Sequence, residues 1–246
     1  LYSLYLSFTD YDMFGTPEWV GLENYIKAFT NDEYFYQYFG NTFYFAIVLV
    51  PVVLVISLFL AILINKKVGR LTKAYRVALF LPSITSTVAV SMVWLWIFNP
   101  DMGILNNFLT AIGFHNPPMW LSDPEWSKPA LIIMRVWQMS GYYMLLFLAG
   151  LQTIPETLYE AAEVDGASSW QRFTRITVPM LSNTTFVVVI LLIIESFNMF
   201  ESIFVMTEGG PLGSTSTIMY YIYEQGFISY NMGYASALAW IFLALI

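Results

Sequence analysis

Uninterrupted apolar runs separated by shorter polar segments make up most of this chain. Four of the runs are each long enough to cross a bilayer as a helix, which takes about 20 residues: residues 43–64, 77–98, 129–151 and 178–206. Two shorter runs, 1–8 and 232–246, are cut by the ends of the chain. The pattern predicts an all-α, polytopic helical membrane protein with four complete spans and two truncated ones.

Composition supports the same class. Hydrophobic residues make up 58% and charged residues 11% of the chain, whereas a soluble domain averages roughly 45–50% and about 25%. The alternative is a large soluble protein, which would have to bury four apolar runs of this length in its core. The chain has no Cys and a single His, which excludes disulfides and thiolate or zinc sites. We therefore expect no catalytic residues and no metal.

The basic residues are distributed unevenly between the loops. Five of the ten lie within residues 65–76, and Arg172 and Arg175 lie between the runs 129–151 and 178–206. Lys27 and Lys128 are the only basic residues in the alternate loops, which carry eleven acids. Because cytoplasmic loops are enriched in Lys and Arg, the two basic loops and both chain ends are predicted to be cytoplasmic. The loops predicted outside are residues 9–40, 99–128 and 207–231.

One predicted cytoplasmic loop, residues 154–177, has a helical pattern. Thr153-x-x-Glu156 matches a capping box, Gly166 can end a helix with positive φ, and Ser168-x-x-Gln171 matches a second capping box. Two short helices are therefore predicted. They could lie on the lipid surface or bind a protein. Their four acids favour a protein partner, since the inner leaflet is anionic.

The residues of this loop carry a resemblance. Glu160-Ala161-Ala162-Glu163-Val164-Asp165-Gly166-Ala167, followed by Ile176 and Pro179, resembles the EAA loop of bacterial ABC importer permeases. The chain also resembles their carbohydrate-uptake branch, in particular the MalF-like first permease, over nearly its whole length. The further matching segments are Gly21-Leu22-Glu23-Asn24-Tyr25, Phe80-Leu81-Pro82, Trp94, the Gly103–Asn106 turn, Thr207 with Gly209-Gly210-Pro211, and Met232-Gly233-Tyr234-Ala235.

The resemblance implies a fold, a function and a set of partners. The fold would be the six-span core of a type I ABC importer permease with a cytoplasmic coupling helix pair, in a bacterial cell membrane. The partners would be a second homologous permease, two ATPase subunits holding ATP and Mg, an extracytoplasmic solute-binding protein and a sugar, with no nucleic acid. The residues implied in ATPase coupling are Glu160, Ala161, Ala162, Asp165, Gly166, Ile176 and Pro179. The chain has no phosphate-binding loop, so we expect a transport subunit without a cofactor, not an enzyme.

Polar residues inside the spans are candidates for a substrate path, because such residues are costly in lipid. Those candidates are Arg135, Trp137, Gln138, Tyr142, Glu195, Asn198 and Glu201. Helical spacing predicts one stripe from Arg135 to Tyr142 and another from Glu195 to Glu201. The alternative for the charges is a structural ion pair between Arg135 and Glu195 or Glu201. Asn198 and Gln138 favour the path.

Other functions remain to be weighed against sugar import. An ion-coupled secondary transporter could use Glu195 and Glu201. The sequence shows no internal repeat of the kind found in such transporters, however, and this function would leave the EAA-like loop unexplained. An intramembrane enzyme lacks candidate groups, since all six Asp residues lie outside the apolar runs. Among importers, the alternative cargoes are glycerol phosphate, a polyol or an acidic oligosaccharide.

Overall fold

A computed structural model describes residues 1–65 and 70–246. Lys66 and Lys67 of the predicted cytoplasmic basic loop lie outside the described residues. The helices, numbered in chain order, are α1 Tyr2–Leu6, α2 Glu23–Thr30, α3 Phe35–Asn65, α4 Arg70–Ile84, α5 Thr87–Ile97, α6 Ile104–Ala111, α7 Pro124–Gln152, α8 Glu156–Val164, α9 Ser169–Arg172, α10 Val178–Met180, α11 Ser182–Phe197, α12 Glu201–Met206, α13 Ile218–Tyr223 and α14 Met232–Leu245. Two π-helical turns, Phe173–Thr177 and Glu224–Ile228, follow α9 and α13. Two-residue strands, β1 Thr9–Asp10 and β2 Glu18–Trp19, pair antiparallel.

Two of the described helices, α3 with 31 residues and α7 with 29, are long and apolar enough to cross a membrane. Two further pairs reach that length only if each pair counts as one span: Lys73–Ile84 with α5, and Ser169–Met180 with α11. The apolar α14 is shorter. The helices differ from the predicted runs in their limits. α3 begins before residue 43, and α4 begins at Arg70 inside the predicted basic loop, where Lys, Leu, Ala and Arg favour a helix.

The predicted spans at 77–98 and 178–206 are interrupted. The first breaks after α4, two residues beyond Pro82, and the second breaks at Leu181, two residues beyond Pro179. Proline alone does not explain these breaks, because its missing N–H and its ring disturb the turn before it, and Pro51 and Pro129 lie inside the unbroken helices α3 and α7. Apolar periodicity alone therefore locates these segments but not their breaks.

The helices form two compact units. The first comprises Leu1–Ile47, Thr87–Ile132 and Ile194–Ile246. Its core is an aromatic cluster consisting of Ala28, Phe35, Tyr38, Ala46, Phe197, Ile218, Tyr221, Tyr234, Leu238 and Phe242.

Asp32 organises the edge of this first unit. Its Oδ1 accepts the backbone N–H groups of Tyr34 and Phe35 at 2.8 and 3.0 Å, which caps the start of α3. Its Oδ2 accepts the hydroxyls of Tyr221, at 2.6 Å, and Tyr234.

Two of the family-like segments hold this unit together. The Asn24 side chain donates to the carbonyls of Ser7 and Thr9 at 3.1 and 2.9 Å. Gly233 lets α14 approach β1 closely, since a Cβ there would lie 2.0 Å from the Thr9 carbonyl oxygen. These residues have a packing role.

The second unit comprises Val48–Ser86 and Ile133–Ile193. Its buried core consists of Val53, Ala61, Ile64, Met139, Tyr143, Met144, Phe147, Leu148, Leu151, Ile154, Leu181, Val188 and Leu192. The Ser57 hydroxyl donates to the Ser140 carbonyl at 3.1 Å and joins α3 to α7. Tyr159 and Ile176 pack against this core from the outside, which anchors the segment that resembles the EAA loop.

Candidate functional site

The EAA-like segment forms a helical hairpin, which we define as residues 156–180, from α8 to α10. α8 begins after Pro155, whose extended backbone gives the N-cap, and no side chain caps it. The predicted capping box from Thr153 is wrong, because Pro155 is the N-cap and Glu156 is the first residue of α8 and not the third. Thr153 therefore lies before the cap, and its hydroxyl donates to the Gly150 carbonyl at 2.8 Å.

Gly166 ends α8 as predicted, with a φ of +75°. The Gly166 N–H bonds the Glu163 carbonyl at 3.0 Å, and the Ala167 N–H bonds the Ala162 carbonyl at 2.8 Å. This pair of bonds is a Schellman motif. A Cβ at Gly166 would meet nothing within 4 Å, so the requirement for glycine comes from the backbone conformation and not from crowding.

The second arm of the hairpin starts at the capping box predicted at Ser168. Its hydroxyl accepts the Gln171 N–H at 3.2 Å, and the Gln171 side chain accepts the Ser168 N–H at 2.8 Å. The arm is not a separate short helix, however. It continues through the π turn into α10 and stops at Leu181.

Two side-chain contacts join the arms of the hairpin. The Tyr159 and Thr177 hydroxyls are 2.9 Å apart. Arg172 donates to Glu163 at 2.8 Å, in an ion pair whose side chains are 26% and 73% exposed. A cavity of about 300 Å³ lies beside these contacts and is lined by Ile62, Asn65, Leu151, Tyr159, Ser169, Arg172, Phe173 and Thr177.

The outer surface of the hairpin has no partner within the described chain. The predicted coupling residues Glu160, Ala161, Asp165, Gly166 and Pro179 are exposed, and Ala162 and Ile176 are half-buried. Beside them, Val164 is 87% and Trp170 70% exposed, and the Trp170 ring lies against that of Phe173, with centroids 5.6 Å apart. Exposed apolar side chains of this size are typical of surfaces that contact a protein or a membrane.

The predicted path residues on α7 fall into two environments. Arg135 and Gln138 are buried, and Arg135 donates to the Gln138 carbonyl oxygen at 2.8 Å. Gln138 in turn donates to the Thr85 backbone carbonyl at 3.4 Å. Trp137 and Tyr142 are exposed. The structure therefore brings Arg135 and Gln138 together, while Tyr142, one turn further along α7, is exposed.

The predicted stripe from Glu195 to Glu201 is not continuous. α11 ends at Phe197, and α12 begins at Glu201. Asn198 lies just past the end of α11, where its side chain is exposed and donates to the Ile194 carbonyl at 2.8 Å. Glu195 is half-buried and Glu201 is exposed. The helical spacing assumed between Asn198 and Glu201 is thus wrong, although both lie near the same break.

Sequence reasoning missed the contacts that hold the hairpin together. Tyr159 and Glu163 are four residues apart on α8, so they share one helix face, and this spacing was an available signal. Their partners on the second arm have no sequence signature. Among residues 1–65 and 70–246, no group of three or more metal-ligating side chains is assembled.

Apolar helices of membrane length define a helical membrane protein. The sequence profile of one family, "Binding-protein-dependent transport system inner membrane component", matches residues 53–246. The chain belongs to this family, which confirms the fold class, the membrane location and the resemblance to ABC importer permeases.

Similar proteins include two permeases. The chain is 40% identical, over 99% of its length and 79% of the relative's, to the probable ABC transporter permease protein YesP of Bacillus subtilis. It is 36% identical, over 92% of its length and 76% of the relative's, to the lactose transport system permease protein LacF of Rhizobium radiobacter. A bacterial alginate ABC transporter, solved in complex with an alginate pentasaccharide-bound periplasmic protein, matches with a TM-score of 0.83 and 28% identity over 92% of this chain and 78% of that chain.

Proposed function

We propose that this permease imports a sugar or oligosaccharide delivered by an extracytoplasmic binding protein. The named cargoes of similar proteins, lactose and alginate, support a carbohydrate. A second homologous permease completes the path in this proposal, since Trp137, Tyr142 and Asn198 are exposed on this chain. Aromatic faces and amide groups are the side chains expected to line a route for a hydroxylated, uncharged solute.

The helical hairpin is the proposed docking element for one of two ATPase subunits. The observation that carries this proposal is the exposure of Val164 and Trp170 beside Glu160 and Ala161. The small Ala161 allows a partner to approach α8 closely. Glu160 can make a charge-assisted hydrogen bond there, of a kind worth about 1.5–3 kcal/mol. ATP and Mg would be held by the partner, in keeping with the missing phosphate-binding loop.

Substitution at Gly166 tests the docking proposal. A β-branched residue is strained at positive φ, and the left-handed conformation costs about 1–2 kcal/mol for residues other than glycine. We expect Gly166→Val to release the ATPase subunits or to lower sugar uptake per ATP hydrolysed in the purified transporter. Gly166→Asn is the matched control, because asparagine tolerates this conformation and the space around the site is open; it should retain most coupling.

Comparison of the two variants shows whether the turn at Gly166 is needed for coupling. Normal ATPase retention and normal uptake in Gly166→Val would remove the hairpin from the coupling mechanism. Equal loss in both variants would mean that side-chain bulk at the contact matters and not the turn.

The alginate transporter supports a second candidate cargo, an acidic oligosaccharide. Stimulation of ATP hydrolysis by the assembled transporter, with its binding protein and a panel of neutral and acidic sugars, separates the two. Stimulation by acidic sugars alone would favour the second candidate. Stimulation by glycerol phosphate would instead support the alternative that the cargo is glycerol phosphate.

A further inference from the structure

The first unit contains a cavity of about 430 Å³. None of the residues that line it belongs to the proposed path. The cavity is lined by Tyr34, Tyr38, Leu212, Gly213, Tyr221, Glu224 and Gln225. Tyr34 stacks on Tyr38, with ring centroids 5.6 Å apart, and Tyr221 meets Tyr38 edge-on at 5.0 Å. Its volume falls within the range of about 300–1,000 Å³ found for ligand sites.

Glu224 is the only acidic residue among the residues lining this cavity. Its side chain is half-buried, and burial raises its pKa above the usual value. Within residues 1–65 and 70–246, its carboxylate has no hydrogen bond or ion pair. The nearby Asp32 is different, because both of its carboxylate oxygens are used by the fold. A half-buried carboxylate that serves no internal contact is costly and is therefore a candidate for binding something from outside.

Charge and aromatic rings together indicate what would bind there. The loops predicted outside carry eleven acids and two lysines, and both lysines already lie over aromatic rings. Lys27 is 4.5 Å from the centroid of Tyr234, and Lys128 is 4.8 Å from that of Tyr44. Tyrosine rings attract cations through their electron-rich faces. A carboxylate among tyrosines on an acidic face is therefore complementary to a cationic group.

We propose that this cavity receives a lysine or arginine side chain of the extracytoplasmic binding protein when that protein docks. The inference rests on the proposed function and on the predicted orientation, in which residues 207–231 lie outside. The long alkyl stem of such a side chain packs against the tyrosines, and its charged end reaches Glu224. The contact would orient the binding protein on the permease, since a partly desolvated charge pair slows dissociation more than a pair at the rim.

The test measures docking of the binding protein on the assembled transporter in nanodiscs. Glu224→Gln removes the charge inside the cavity, and Glu33→Gln removes an equivalent charge from an exposed position outside it. Because both variants change net charge equally, long-range attraction is matched. We expect Glu224→Gln to raise the Kd about ten-fold, the size expected for a partly desolvated pair, and Glu33→Gln to change it less than about two-fold, as for a rim charge.

A second variant protects the test against misfolding. Tyr34→Ala removes an exposed wall of the cavity and should weaken docking in the same direction. Equal effects of Glu224→Gln and Glu33→Gln would overturn the proposal while leaving the importer function intact. Unchanged docking with a higher KM for sugar in Glu224→Gln would overturn it in favour of a sugar subsite. Failure of the wild-type transporter to bind any extracytoplasmic partner would overturn the proposed function itself.

Discussion

Tyr159→Phe is the most informative single change in the helical hairpin. It removes one oxygen atom, keeps the ring that packs against the core of the second unit, and breaks the contact with Thr177 at 2.9 Å. Of the two side-chain contacts described between the arms, only the Glu163–Arg172 ion pair would then remain.

The size of the effect follows from the surroundings of each contact. A hydrogen bond contributes about 0.5–1.5 kcal/mol net. Thr177 is buried, but the cavity beside it is roomy enough for water to replace the lost partner, which favours a value near 1 kcal/mol. The ion pair has one largely exposed member and is expected to contribute about 0–1 kcal/mol. Tyr159→Phe should therefore weaken the hairpin more than Glu163→Gln does.

The consequence for transport is a looser link between the ATPase and the membrane helices. A change of about 1 kcal/mol shifts a population ratio roughly five-fold, so we expect sugar uptake per ATP hydrolysed to fall by up to about that factor. The assay compares uptake and ATP hydrolysis in proteoliposomes for the wild type, Tyr159→Phe and Glu163→Gln. Only the effect of Glu163→Gln should vary with salt, because salt screens exposed ion pairs.

One result would refute this reasoning. If Tyr159→Phe keeps the wild-type ratio of uptake to ATP hydrolysis while Glu163→Gln loses it, the buried hydrogen bond does not fix the hairpin. A loss of assembled complex in Tyr159→Phe would also contradict it, since the estimated energy is too small to unfold the protein.

Three further predictions follow from the positions of single residues. Asn198→Ala should reduce sugar uptake while leaving assembly and basal ATP hydrolysis intact, because its exposed amide is proposed to face the path; loss of assembly would instead support a structural role. Burial raises the pKa of Glu224, so this group stabilises the fold below its unfolded pKa of 4.5 and the contribution is lost as pH rises through the folded value. Glu224→Gln should thus raise the Tm at about pH 7.5 and have little effect at about pH 4. A cysteine at His115 should react with an impermeant reagent on intact cells, and one at Lys73 only after the cells are opened; the reverse pattern would invert the topology.

Local signals in the sequence predicted the local features of the hairpin. The positive φ at Gly166 and the capping box at Ser168 depend on residues at most a few positions apart, and both predictions are confirmed. The predicted capping box at Thr153 failed because α8 begins two residues later than the box requires, with Pro155 as its N-cap. A four-residue pattern does not fix the residue at which the helix starts, since proline also favours a place at a helix start.

Features that depend on distant residues could not be predicted. Tyr159 and Thr177 are 18 residues apart. The cavity beside Glu224 combines Tyr34 and Tyr38, at the beginning of α3, with residues of the segment 212–225. Hydropathy also located the apolar runs without their interruptions, because the residues at each break, Thr85-Ser86 and Leu181, are uncharged. The polar stripe ending at Glu201 was lost because α11 ends at Phe197 and α12 begins only at Glu201, which interrupts the helical periodicity.

The π turn at Phe173–Thr177 sets the direction in which the hairpin presents its surface. A turn of this kind holds one residue more than an α turn, and one residue corresponds to about 100° of rotation in a helix. Trp170 before the turn and Leu181 after it are therefore out of step with a regular α-helix, which lets the first stay exposed while the second is buried. The number of residues in this stretch thus determines the rotation between the helix faces before and after the turn, whichever side chains the stretch carries.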